Sequence, residues 1–103
     1  MERDALISPD VLASYAADAA REVPGVAGLA EGPLHRGKAV SVSGDEETLG
    51  VEIALVLEWG RSASEVGDEV QRRIFEYLKS MAKVSLASID VVVAGVGPPP
   101  PKR

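Results

Sequence analysis

Residues 51–82 carry two hydrophobic periods back to back, and few folds can satisfy both. Val51, Ile53, Leu55, Leu57 and Trp59 alternate with Glu52, Ala54, Val56 and Glu58, the period of two that puts successive side chains on opposite faces of a β-strand. Beyond Gly60 the period changes. Val66, Val70, Ile74, Tyr77, Leu78 and Met81 recur at spacings of three and four, which makes one apolar stripe on a helix over about residues 63–82. Ser62-Ala63-Ser64-Glu65 has the spacing of a capping box at its start. A strand and a helix that are each apolar on one side must bury those sides against something, so the chain is driven towards stacked layers.

The remaining segments supply the other parts of such a stack. Ser8-Pro9-Asp10 combines an N-cap hydroxyl, a proline at the first helical position and an acid in the first turn, and Leu12, Tyr15, Ala16, Ala19 and Val23 form the stripe of a first helix. Pro24-Gly25 ends it. Val26 to Leu29 reads as a short extended piece, and residues 31–38 as a loop. Ala39-Val40-Ser41-Val42-Ser43 alternates as a half-buried strand, and the acidic turn after it predicts an antiparallel hairpin with the strand at 51–59. A last strand over residues 86–94 places Ile89, Val91 and Val93 on one face and Asp90, Val92 and Ala94 on the other. The order predicts an α+β two-layer sandwich: one mixed or antiparallel sheet of three to four strands, with two helices on one face. Residues 1–96 form the single domain, and 97–103, with Pro98 to Pro101, an extended proline-rich tail. On the second helix, Glu69 with Arg73, Asp68 with Arg72 and Glu76 with Lys79 stand at pairing distance.

Composition excludes several chemistries. The 103 residues contain no cysteine and one histidine, so disulfides, thiolate sites, a cysteine nucleophile and the usual zinc ligand sets are out of reach. A net charge of -5 opposes binding to a phosphate backbone or an anionic lipid surface. Apolar runs such as Val91-Val92-Val93-Ala94 are far too short to cross a bilayer, and Met1-Glu2-Arg3-Asp4 lacks the pattern of a signal peptide. A cytoplasmic chain with no direct membrane insertion is expected.

Four places invite a chemical reading, and each has a plainer one. His35 lies in a polar loop without a partner group that spacing can identify, and reads as an exposed histidine. Gly25-Val26-Ala27-Gly28 matches the GxxG clamp of KH nucleic-acid-binding domains, with Arg36 and Lys38 nearby. It lies between Glu22 and Glu31, however, and joins a helix to a strand, so glycines that end a helix explain it more simply. Gly60-Arg61-Ser62 precedes a helix N-terminus, where capping accounts for the residues without a bound anion. Asp45, Glu46 and Glu47 lack the alternating ligand pattern of a calcium loop and read as a solvated turn. No catalytic, cofactor or metal residues emerge. The sheet face turned away from the helices is different: Ala54, Val56, Val92 and Ala94 stand there among Glu52, Glu58 and Asp90, more apolar than solvation requires, and are the candidate protein-interaction residues.

Ile7-Ser8-Pro9-Asp10-Val11-Leu12, Ala16, Ala19-Ala20 and Glu22-Val23-Pro24-Gly25-Val26 resemble the opening of the bacterial alkaline shock protein family, also called the Gls-type envelope stress response family. Val51 to Leu57, Trp59-Gly60-Arg61-Ser62, Glu65-Val66, Val70-Gln71, Met81 and Ile89-Asp90-Val91-Val92-Val93 continue the resemblance, in order, over about residues 7–96. Where the family usually has a Gly-Leu or similar pair after the methionine that ends the second helix, this chain has Ala82-Lys83-Val84. The resemblance implies a non-catalytic cytoplasmic protein linked to envelope homeostasis and stress. Its implied partners are further copies of itself and a separate membrane-anchor protein, which can hold it at the inner face of the membrane.

Overall fold

The computed structural model describes residues 8–30, 39–45, 48–99 and 101. The elements are α1 (Pro9–Arg21), β1 (Val26–Leu29), β2 (Val40–Ser43), β3 (Gly50–Leu57), α2 (Ala63–Ala82) and β4 (Ser88–Val96). The two helix starts follow their caps: Ser8 Oγ accepts from the Val11 N–H at 3.2 Å, and Ser62 Oγ from the Glu65 N–H at 3.3 Å.

β3 is the spine of the sheet. β4 runs parallel to it along its whole length, from Gly50 opposite Ser88 to Leu57 opposite Val96. A strand has only two edges, so β1 and β2 share the other one. β2 pairs antiparallel with Gly50 to Ile53, as the hairpin pattern predicts, and β1 pairs antiparallel with Leu55 to Leu57. Ala54 sits where one hands over to the other, its N–H donating to the Ala39 carbonyl and its carbonyl accepting from the Ala30 N–H, both at 2.9 Å. The sheet is therefore mixed, four strands laid out in three columns.

Helix length explains the parallel pairing. Twenty residues of α2 span about 30 Å, enough to return the chain past an eight-residue strand of about 26 Å and begin β4 beside the start of β3. Gln71, midway along α2, fastens helix to strand by donating from Nε2 to the Ile89 carbonyl at 2.8 Å.

Both helices cover one face. Val51, Ile53, Leu55 and Leu57 of β3 join Val66, Val70, Ile74 and Leu78 of α2, and Leu12, Ala16, Ala19 and Ala20 of α1, in one buried cluster. Ile53, Leu55, Ile74 and Leu78 have no exposed surface at all. The rings of Tyr15 and Tyr77 meet edge-on at 5.8 Å, which ties α1 to α2.

Two expectations fail for identifiable reasons. Trp59 does not continue the inward row. β3 ends at Leu57, Gly60 turns the chain at φ +86°, and the indole is left 57% exposed. Of the expected ion pairs only Glu69 with Arg73 forms, at 3.0 Å. Arg72 turns to Glu69 and Glu76 in place of Asp68, and the Lys79 ammonium stands 5.8 Å from the centre of the Phe75 ring.

Lys83 closes α2 in the left-handed conformation at φ +60°, the place a glycine fills without strain. Its side chain is exposed, so little packing would be lost on replacement. Lys83→Gly is expected to stabilise the fold by about 1 kcal/mol, read as a Tm rise of roughly 4–8 °C in thermal denaturation. An unchanged or lower Tm would contradict the strain assigned to that residue.

Candidate functional site

The outer face of the sheet is assembled from every second residue of β3 and β4. Glu52 lies opposite Asp90, Ala54 opposite Val92 and Val56 opposite Gly95. β2 adds Ser41 beside Glu52, and β1 adds Gly28 beside Val56. One end of the face thus carries two facing carboxylates, and the rest is apolar or bare. Val56 stands between two glycines, neither of which has a side chain to shield it on the sheet surface. A Cβ built on Gly28 would meet nothing within 4 Å.

The four candidate residues do not share one environment. Val92 is 43% exposed, Ala94 is exposed and Val56 is half-buried, so these three remain accessible. Ala54 is 4% exposed and closed off, at the point where β1 gives way to β2. Alternation alone assigns Ala54 to the outer face but does not report its burial.

β4 adds features that alternation conceals. The ladder with β3 slips between Leu55 and Val56, so the strand bulges near Ala94 and its inside-outside order shifts by one. Val93 and Val96 lie on the helix side, opposite Leu55 and Leu57, yet are 37% and 55% exposed and stand outside the buried cluster beneath the helices. Among the described residues β4 pairs with β3 alone, and its far edge carries no ladder.

The solvent side of α2 has the opposite character. Arg72 binds Glu69 and Glu76, and Arg73 binds Glu69, all among part- or fully exposed side chains. A depression of about 220 Å³ between α1 and α2 is lined by Ala19, Glu22, Arg73, Glu76, Tyr77 and Ser80. It is smaller than the usual 300–1,000 Å³ of ligand pockets, and its one cation is already engaged by Glu69.

The other sequence candidates end less productively. His35, Arg36, Lys38, Glu46 and Glu47 lie outside the described residues. Asp45 caps its own turn, accepting from the Thr48 N–H at 3.1 Å and its hydroxyl at 2.9 Å. Among the described residues no three acids or imidazoles gather as a metal would require. The GxxG reading meets a direct obstacle. Gly28 is inside β1 and paired with Val56, so the clamp loop that a KH-like function needs does not form. Gly25 is a turn at φ +102°, and a Cβ there would lie 2.7 Å from Val66 Cγ2, so this glycine lets the end of α1 pack closely on α2.

The sequence profile of the alkaline shock protein 23 family, described as having a cell envelope-related function, matches residues 2–98. The chain belongs to this family. An uncharacterised protein of Bacillus subtilis (strain 168), YqhY, is 30% identical over 100 residues, which cover 87% of this chain and 74% of that protein. Among solved structures, a triple variant of the MamM CTD and a manganese form of the same CTD each superpose with a TM-score of 0.60 at 15% identity. Each match covers 84% of this chain, with 93% and 96% of the respective CTD chains. At that identity the likeness establishes a shared fold. Among the described residues no helix is long and apolar enough to cross a membrane.

The charged side of α2 can be tested by pH. The hydrogen bond from Arg72, with a further one from Arg73, holds the Glu69 carboxyl below the ordinary glutamate value of 4.5. A depressed carboxyl stabilises the fold above the unfolded-state value, and that stabilisation disappears as pH falls through the lower folded-state value. Glu69→Gln should have a slightly lower Tm than the parent at pH 7, with the two curves converging below about pH 4.5. A constant gap from pH 7 to pH 3 would contradict the pairing.

Proposed function

We propose that this chain is a non-catalytic, cell envelope-related module that works by self-association and protein–protein contacts made through the bare face of its sheet. The observation that carries the reading is the pairing of opposites on one molecule. α2 meets solvent with an ion-pair network, while the outer sheet presents Val56, Val92 and Ala94 with only glycines beside Val56. Burying such a face against protein recovers apolar area that water otherwise keeps. Family membership supports the envelope setting. A position at the inner surface of the membrane, reached through a separate anchor protein of the same stress system, fits a chain in which no described helix can span a bilayer.

Sedimentation velocity over a range of concentrations tests the reading. The parent chain should associate as concentration rises. Because each copy carries a net charge of -5, association should strengthen as salt is raised from low ionic strength towards 0.15 M. Val92→Lys should weaken it about tenfold or more with the circular dichroism spectrum unchanged. A strictly monomeric parent at high concentration, or a Val92→Lys variant that associates as well as the parent, would refute the use of this side of the sheet.

A further inference from the structure

We infer that the free edge of β4 is the seam of a two-fold dimer, in which residues 90–94 pair antiparallel with the same residues of a second copy about an axis through Val92. The inference rests on the self-association reading and names its geometry. β4 is nine residues long with a single charge, Asp90, and it carries three of the exposed large apolar residues: Val92, Val93 and Val96. Among the described residues its outer edge pairs with nothing, so it presents backbone donors and acceptors that only another strand can satisfy in series. The usable length is bounded at both ends. At the start the Ile89 carbonyl already accepts from Gln71, and at the end the bulge near Ala94 is followed by Gly97 and Pro98, where proline removes a donor.

A second copy fits this edge by symmetry and by charge. A two-fold axis normal to the sheet makes the new strand pair antiparallel and the interface the same patch on both molecules. With the axis at Val92, Val92 meets Val92, Val91 meets Val93 and Asp90 meets Ala94 of the second copy. The two Asp90 carboxylates then stand about 13 Å apart along the seam, beyond the Debye length at physiological salt, and the Glu52 carboxylates, one strand further in on each copy, stand further apart still. A parallel, in-register pairing would instead stack Asp90 on Asp90, which like charges oppose. On the helix side, the antiparallel pair covers Val93 with Val91 of the neighbour. On the outer side it joins both apolar faces across the seam, with the acids at the two ends.

The chain has no cysteine, so single introduced thiols report the geometry without background. Val92→Cys should form a disulfide-linked dimer under mild oxidation, since directly opposite residues on neighbouring strands have Cα atoms about 4.5–5.5 Å apart. Val56→Cys serves as the contrast. It lies one strand further in, so across an edge seam the two copies would be separated by at least three strand spacings, about 14 Å, which no disulfide can bridge. Val92→Lys should raise the dimer dissociation constant at least tenfold by sedimentation. The inference is overturned if Val56→Cys cross-links, which would indicate face-to-face stacking, or if Val92→Cys fails to cross-link while the chain still sediments as a dimer. In both of these cases the self-association reading survives. A chain that stays monomeric by sedimentation overturns both.

Discussion

Every other element depends on β3 being paired along both edges beneath a helix-covered face. Its inward residues Ile53 and Leu55 are sealed against Ile74 and Leu78 of α2, all four fully buried. Full burial of one such side chain is worth roughly 1.5–3 kcal/mol, so this small group outweighs any of the exposed ion pairs on the helices. The backbone of β3 is equally committed. β4 occupies one edge throughout, and β1 and β2 divide the other, with Ala54 bonded to Ala39 and Ala30 at the junction. A strand so enclosed can be almost entirely apolar, and Glu52 is its one charged residue.

The same arrangement creates the asymmetry on which the proposed function turns. Two helices suffice for one face of a three-column sheet, and no third helix exists among the described residues to cover the other. The helices face water with ion pairs, but the far side of the sheet keeps valine, alanine and glycine. β4 is exposed twice over, as part of this face and as an open edge. Proteins usually blunt an open edge with charge, a bulge or proline. Here Asp90, the slip near Ala94 and the prolines that follow Gly97 restrict the edge to a short central segment without removing it. A restricted edge of this kind would limit the proposed assembly to a defined contact instead of open-ended aggregation.

Much of the layer structure was legible in the sequence because it rests on local signals. The change of period at Gly60, the Ser8 and Ser62 caps and the Pro24-Gly25 stop each act within a few residues, and α1, α2 and β3 lie where those signals put them. What was not legible depends on neighbours distant in sequence. Alternation assigns faces but not partners, so neither the parallel course of β4 nor the sharing of one β3 edge by β1 and β2 could be read from it. Trp59 keeps the inward phase on paper but lies beyond the last ladder residue. Arg72 has acids at several helical spacings, and spacing alone does not choose among Asp68, Glu69 and Glu76. Of the candidate interaction residues, Val56, Val92 and Ala94 are accessible, while Ala54 is hidden at a seam that only the fold reveals. The exposure of Val93 and Val96 was equally hidden, since alternation reports neither the bulge nor how far the buried cluster extends.

Hydrogen exchange followed residue by residue at a low and a high protein concentration tests most directly whether β3 is the enclosed spine and β4 the open seam. The slowest amides at both concentrations should be those of β3, residues 50–57, with β4 exchanging faster in the dilute sample and slowing markedly in the concentrated one. Fast exchange in β3, or concentration-dependent protection that appears on α2 and leaves β4 unchanged, would contradict this assignment of spine and seam.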